Sequence, residues 1–368
     1  MFNRVGIIFC GGLLLLAGCA SRPTPPPPGI VRETNTVGSS PLNWTNPAAK
    51  WLRVPAPLPL TVKPLPSAAA PPEPPAESWT PLARWAAGRG LAAPHRVTGL
   101  PAVEYAIGSS NGVLNLTVGS REAAWNGVQF YLGFAPELID GEIALRGLDL
   151  QKNLEPLLCG PPLAFGPRRV VVIDPGHGGH NTGTRSVLDG RWEKEFTLDW
   201  AQRLAPLLTR EGWTVFLTRT NDTDLSLADR VAFAAAHHAS LFLSLHFNAT
   251  ADHNERASGL ETYCLTPTGM PSVLTRGYAD PLFEVLPNNT FDAQNLQLAL
   301  RVQTALLRAT GLDDLGVQRA RFPGVLRGQT CPAILIEAGF LSSPHDARLI
   351  ESPEFRQKLA EALANALK

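Results

Sequence analysis

Val170-Val171-Val172-Ile173-Asp174-Pro175-Gly176-His177-Gly178-Gly179 is the stretch that decides the fold of this chain. Its first four residues form a short, wholly apolar run, as expected for a strand covered on both faces. The run ends in a Pro-Gly turn. A helix is expected over Phe196–Arg210, with apolar residues at Phe196, Trp200, Leu204, Leu207 and Leu208, and with Gly212 beyond its end. Strands at Thr214–Leu217, Leu241–Leu245, Gly259–Leu265 and Ala333–Ile336 then alternate with helices at Leu225–His237 and Ala293–Thr310. Helices at Asp346–Ile350 and Pro353–Leu367 close the chain, the last with Ser352 as N-cap and Pro353 at its first position. Such alternation predicts an α/β domain over residues 169–368, a twisted and mostly parallel central sheet with helices on both faces.

Three side chains with chemistry share one address in that fold. His177 lies four residues past Ile173, His246 follows the strand ending at Leu245, and Glu337 follows the strand ending at Ile336. In an open α/β sheet, ligands bind beyond the carboxyl ends of the strands, so parallel strands would bring all three to one edge. Glu193, at the entry to the first helix, can be folded back over the same edge. Two histidines and a carboxylate make a catalytic zinc site with a position left open for water. A second carboxylate is then needed to move the proton. We therefore expect His177, Glu193 and His246 as Zn2+ ligands and Glu337 as the acid/base, its pKa raised by apolar surroundings. Asn248, two residues beyond His246, is the candidate substrate contact. Singly, each has a plainer reading: His246 as a loop residue, Glu193 as a solvated helix-terminal acid, Glu337 as an ion-pair partner of Arg327 or Arg230. All four together at one edge are hard to obtain by chance.

Upstream the chain changes character. Arg4 and the apolar run Val5–Ala17 read as a signal segment over residues 1–18, too short to span a bilayer at roughly 20 residues. Leu16-Ala17-Gly18-Cys19 resembles the lipobox of bacterial lipoproteins, which makes Cys19 the lipidated residue. Ala20, rather than Asp, after it points to the outer membrane. Residues 21–80 hold 16 of the chain's 34 prolines, so a segment over residues 19–78 is read as an extended tether. Residues 79–160 look globular, a small α+β module with strands at Val113–Val118, Ala123–Trp125, Val128–Leu132 and Glu142–Leu145 and a helix over Leu148–Leu158. The turn signals Asn111-Gly112, Asn126-Gly127 and Asp140-Gly141 separate its strands. Cys159, Cys264 and Cys331 have no disulfide or CxxC spacing and are read as small buried apolar residues. Net charge is zero and 17% of residues are charged, which excludes an electrostatic nucleic-acid footprint.

Val172–Gly179, Glu193-Lys194-Glu195-Phe196, Thr218-Arg219, Ser244-Leu245-His246-Phe247-Asn248-Ala249 and Ile336-Glu337-Ala338-Gly339-Phe340-Leu341-Ser342 occur in that order. The segment from about residue 169 to 367 resembles the zinc-dependent N-acetylmuramoyl-L-alanine amidases of the cell-separation type. The resemblance implies cleavage of peptidoglycan between the muramic acid lactyl group and the first L-alanine of the stem peptide. It also implies His177, Glu193 and His246 on zinc and Glu337 as catalytic. Zinc peptidases acting on stem peptides, and a non-catalytic wall-binding or activator lipoprotein, are the rival readings. Asp313-Asp314-Leu315-Gly316-Val317 departs from the family's common Asp-Arg-Gly-Val, and His237-His238 stands where Ala-Asn is usual. The latter pair is read as helix C-terminal capping. Some relatives carry an inhibitory helix, released by an activator, in the region of Thr266–Asn295. Here Pro267, Pro271, Pro281 and Pro287 argue for a substrate-contacting loop instead.

Overall fold

Short apolar alternations separated by glycine turns build the first part of the described chain. In order they are β1 (Trp79–Pro81), α1 (Leu82–Ala87), β2 (His95–Val97), β3 (Glu104–Ser109), β4 (Gly112–Thr117), β5 (Glu122–Trp125), β6 (Val128–Tyr131), β7 (Glu137–Ile139) and β8 (Glu142–Arg146). A helical turn, α2 (Gly147–Asp149), then runs into a wide π-type helix over Leu150–Cys159. Asn126 and Gly127 have φ of 51° and 85°, and Asp140 and Gly141 have 52° and 82°. Two successive positive φ values are what a two-residue hairpin turn demands, and they explain these dipeptides. This computed structural model describes residues 77–99, 101–165, 167–250 and 257–368. The signal segment, Cys19 and nearly all of the tether lie outside them.

The second part is β9 (Val170–Pro175), α3 (Glu193–Arg210), β10 (Thr214–Leu217), α4 (Leu227–Ala236), β11 (Leu241–Asn248), β12 (Leu260–Leu265), a 3-10 turn at Pro287–Phe291 and α5 (Asp292–Thr310). It continues with β13 (Asp314–Ala320), α6 (Gly324–Arg327), β14 (Ala333–Phe340), α7 (Pro344–Glu351) and α8 (Pro353–Ala366). The strand order is β10-β9-β11-β14-β12-β13-β6-β5-β4-β3-β2, an eleven-stranded sheet. β10, β9, β11 and β14 run parallel; β12 is antiparallel to β14 and parallel to β13. Side chains alternate between two apolar layers. Val171, Ile173, Leu243 and Ile336 join Trp200, Leu204 and Leu363 of α3 and α8, whereas Val172, Phe242 and Leu335 pack with Ala234 and Leu326 of α4 and α6. Helices thus cover both faces, as expected.

Several boundaries and one burial differ from the sequence reading. β11 and β14 continue to Asn248 and Phe340, so His246 and Glu337 stand within their strands rather than just past them. Residues 314–320, to which the sequence reading assigned no element, form β13. Asp314 opens it, accepting from Gln303 Nε2 (2.8 Å) and Gly316 N (2.9 Å) on one oxygen and from Gln129 N (2.8 Å) on the other. Cys159 is exposed, a correction to the expectation that all three cysteines are buried; Cys264 and Cys331 are buried. Cys159 is the last residue of the π-type helix, where the chain leaves the core.

β6 pairs in parallel with β13, with Phe130 opposite Val317, so the antiparallel β2–β6 meander extends the same sheet. Phe130 is fully buried in the core shared by both segments. Phe130→Ala should therefore cost about 3–5 kcal/mol. It should shift a single unfolding transition followed by circular dichroism; a separate early transition for the N-terminal strands would show them to be an independent unit.

Candidate active site and metal centre

A buried carboxylate organises the turn after β9. Asp174, 1% exposed, accepts from Thr218 Oγ1 (2.6 Å), Ser244 Oγ (2.9 Å) and Arg230 Nη1 (2.6 Å). It thereby joins the ends of β9 and β10, β11 and α4. Arg230 also donates to the carbonyls of Pro175 (3.0 Å) and His177 (2.7 Å). Arg219 donates to those of Pro175 (2.9 Å), Gly176 (2.8 Å) and Lys194 (2.8 Å). Burial, opposed by too little negative charge, lowers the Arg219 guanidinium to about 10. These contacts hold the turn open. His177 sits at φ 63°, with Gly178 at 128° and Gly179 at 59°. A non-glycine residue in the left-handed region is a strained placement that the surroundings must impose.

Because β9, β11 and β14 are parallel neighbours, the side chains expected at one edge do meet there. His246 is the register partner of Glu337. Glu193, at the start of α3 and 4% exposed in its side chain, bridges the two histidines: Oε2 lies 3.0 Å from His177 Nε2 and Oε1 lies 3.0 Å from His246 Nδ1. Backbone N–H groups of Thr184 and Phe247 donate to the same two oxygens, each at 3.0 Å. Burial opposes ionisation of Glu193, but the hydrogen bonds and charge of both histidines hold its carboxyl far below the ordinary range. The imidazole rings stand nearly perpendicular, centroids 4.8 Å apart.

The donor set fits a metal ion. One ligand atom from each of His177, Glu193 and His246 lies within 4.8 Å of the others. His177 Nδ1 is 2.8 Å from Asn181 Oδ1, an acceptor that would keep the proton on that nitrogen and leave Nε2 as the atom to offer a lone pair to a metal. Gly176 and Gly183 leave the room: a Cβ on Gly176 would come 2.3 Å from the His246 ring, and one on Gly183 would come 2.5 Å from Glu193 Oε2. The His177–Glu193–His246 cluster could thus hold a metal, and its histidine–carboxylate contacts are the proton-bridged counterpart of such a site.

Glu337 has a different environment. Its Oε2 is buried without a hydrogen-bond partner among the described residues. The arginines offered by the sequence as partners are engaged elsewhere, Arg327 with Glu284 and Arg230 with Asp174. Burial pushes the Glu337 carboxyl up to about 8, with His246 and Arg276 pulling it down and Glu193 and Glu261 pushing it further up. Behind it lies Glu261, its register partner on β12, which accepts from Asn248 Nδ2 and Tyr263 OH, both at 2.6 Å. Asn248 is 5% exposed. It stands at the end of β11, and its amide nitrogen donates to Glu261. His237 caps α4, its Nδ1 2.8 Å from the Phe233 carbonyl oxygen, away from the cluster as the sequence indicated.

Sequence reading did not assign roles to Asp174, Arg219, Glu261 or Asn181, and it offered Arg230 only as an ion-pair partner of Glu337. Arg219 lay within a quoted motif, but its task depends on carbonyls distant in the chain. Gly176→Ala should displace His246, and Asn181→Ala should release His177; each should weaken metal binding about 10- to 100-fold. Competition with a fluorescent chelator would measure this, and unchanged affinity in both variants would remove the three-donor set from consideration.

A family model described as N-acetylmuramoyl-L-alanine amidase matches residues 171–368. The N-acetylmuramoyl-L-alanine amidase AmiA of Escherichia coli strain K12 is 30% identical over 224 residues, 55% of this chain and 76% of the relative. The AmiC amidase of Neisseria meningitidis serogroup B is 33% identical over 227 residues, 55% of this chain and 52% of the relative. A crystal structure of an N-acetylmuramoyl-L-alanine amidase from Clostridium difficile 630 is similar at 30% identity and a TM-score of 0.45, covering 55% of this chain and 96% of that one. The matched segment carries the whole His177–Glu193–His246 cluster and Glu337, and the chain belongs to the N-acetylmuramoyl-L-alanine amidase family, enzymes that hydrolyse an amide of peptidoglycan.

Proposed function

We propose that this chain is a zinc-dependent amidase of the cell-separation type, cutting between the muramic acid lactyl group and L-alanine of the stem peptide. The observation that carries the reading is the meeting of three metal donors with one unpartnered, buried carboxyl on the adjacent strand. His177 through Nε2, His246 through Nδ1 and Glu193 would hold Zn2+. The chemistry a bound Zn2+ supplies is Lewis acidity toward the carbonyl oxygen and a lowered pKa for water.

The chain's own residues do the rest. Glu193 keeps its charge because two backbone N–H groups and two imidazoles face it. Asn181 fixes the His177 tautomer. Glu337 is the proton carrier: its carboxylate takes a proton from the attacking water at one oxygen and delivers it to the alanine nitrogen as the C–N bond breaks. A carboxyl whose burial favours the protonated form suits the second half of that transfer. Asn248 acts by holding Glu261 behind Glu337.

The rest of the chain gives the setting. In this proposal residues 1–18 are a lipoprotein signal and Cys19 carries the lipid. Residues 19–78 tether residues 79–160 and the catalytic domain 169–368 to the periplasmic face of the outer membrane. Daughter-cell separation or wall remodelling is the role, and an activator is a possible partner. The support is the lipobox-like Leu16–Cys19 and the proline content of the tether. Among the described residues no helix is long and apolar enough to cross a membrane.

Glu337→Gln should keep the metal but lower the clearing of purified peptidoglycan by at least about 100-fold, and chelation should abolish clearing by the unaltered protein. Mass analysis of the products should show free L-alanine amino termini on intact stem peptides. Shortened stems would point to a peptidase, and normal clearing by Glu337→Gln would sink the catalytic assignment. Cys19→Ala should release the protein from washed outer membranes; retention of that variant would exclude Cys19 as the anchor.

A further inference from the structure

The segment between β12 and α5 is long and proline-rich, yet it is firmly fixed, and it brings one arginine to the active site. Arg321, at the end of β13, donates to the carbonyls of Pro267 and Met270 (both 2.8 Å) and to Asp280 Oδ1 (2.5 Å). Asp280 in turn accepts from Ser272 N (2.8 Å) and Ser272 Oγ (2.7 Å). Arg121, between β4 and β5, donates to the Pro271 carbonyl (2.8 Å), and Gly133 allows Met270 to sit against the chain there. The N-terminal meander thus buttresses this loop directly. The loop's only helical element among the described residues is the 3-10 turn at Pro287–Phe291.

At the loop's turn Arg276 and Gly277 both take left-handed backbone, φ 48° and 79°. Arginine in that region is strained, and strain of this kind concentrates at functional sites. The turn sends the guanidinium back to the aromatic rings of Phe322 and Tyr263, at 5.0 and 5.7 Å, and Tyr278 stacks on Phe322. Nη2 donates to Tyr263 OH (3.1 Å) and Asn248 Oδ1 (3.4 Å). Glu261 lies 3.6 Å from Nη2, and its oxygen is already taken by Tyr263 and Asn248. Among the described residues Nε and Nη1 have no partner, and the side chain is 43% exposed. Glu261 and Glu337 both feel its charge. Nη2 is braced against Tyr263, Asn248 and Glu261, the register partner of Glu337, while Nε and Nη1 keep donors to spare.

We propose that Arg276 is a specificity residue of this site, whose remaining guanidinium N–H groups bind a carboxylate of the wall stem peptide. Resting on the amidase reading, the inference can name the group: after the scissile L-alanine, the next residue is a glutamate joined through its side-chain carboxyl, which leaves its α-carboxylate free. That carboxylate is the nearest anion to the cleaved bond. Nε–H or Nη1–H can give it a charge-assisted hydrogen bond, and an amidated α-carboxyl would bring no opposing charge to the guanidinium. A site built for a charged acceptor rejects the analogue that lacks it.

The test compares two synthetic disaccharide pentapeptides, identical except for a free carboxylate or a carboxamide at that α position, cleaved by the full-length metal-loaded protein. The unaltered enzyme should favour the free acid by about 10-fold or more in kcat/KM, expressed mainly in KM. Arg276→Gln should bring the ratio to about one, and Arg276→Lys should restore part of it, with metal content and thermal midpoint as controls for folding. A ratio near one in the unaltered enzyme, or a preference that survives in Arg276→Gln, would overturn the proposal. Release of shortened peptides with the lactyl amide left intact would instead bring down the amidase reading beneath it.

Discussion

The pair of Asp174 and Arg230 is the contact on which the site depends. It is buried, and removing either partner would leave an uncompensated charge inside the protein, which costs far more than the intact pair contributes. Here that constraint serves geometry. Asp174 ties the carboxyl ends of three strands, and Arg230 reaches past it to the His177 carbonyl. With Arg219 and Asn181, these contacts hold His177 in its left-handed conformation with Nε2 facing Glu193.

Around that anchor the two functional carboxylates are separated by environment. Glu193 collects four donors and stays charged, whereas Glu337 is buried with one oxygen unpartnered and favours its proton. The two lie at one sheet edge because β11 and β14 are parallel neighbours. One residue of slip between those strands would turn Glu337 to the opposite face. The antiparallel β12 then places Glu261 behind it. A row of polar groups, Glu261, Asn248, Tyr263 and Arg276, connects the edge to the loop after β12, and that loop rests on the N-terminal strands. The meander before residue 160 therefore belongs to the architecture of the site as well as to the sheet.

Much of this was legible in the sequence. Apolar runs of strand length alternating with helical periodicity gave the α/β class, since a strand covered on both faces has no other composition available. His177, Glu193, His246 and Glu337 stood at strand ends or a helix start, and the ordered motifs around them carried the family. Other features were not legible, for physical reasons. The strand opening at Asp314-Leu315-Gly316 has no plain apolar pattern, because the Asp314 carboxylate serves Gln129 and Gln303, both remote in sequence. Cys159 looks like any small apolar residue until the helix is seen to end at the surface. Arg230 and Arg321 are ordinary helical or strand-end cations until carbonyls from other segments converge on them.

The sequence by itself determined most elements of residues 169–368, their chemistry and the approximate edge where that chemistry collects, because these follow from local periodicity and from which residues end each strand. Only the tertiary structure decided which carboxylate is held charged and which is pushed toward its protonated form, and which arginine is left with donors to spare. It also decided that the N-terminal strands extend the catalytic sheet. Those properties are set by how many partners reach a buried group across the sheet, and such partners are fixed by packing between segments far apart in the chain.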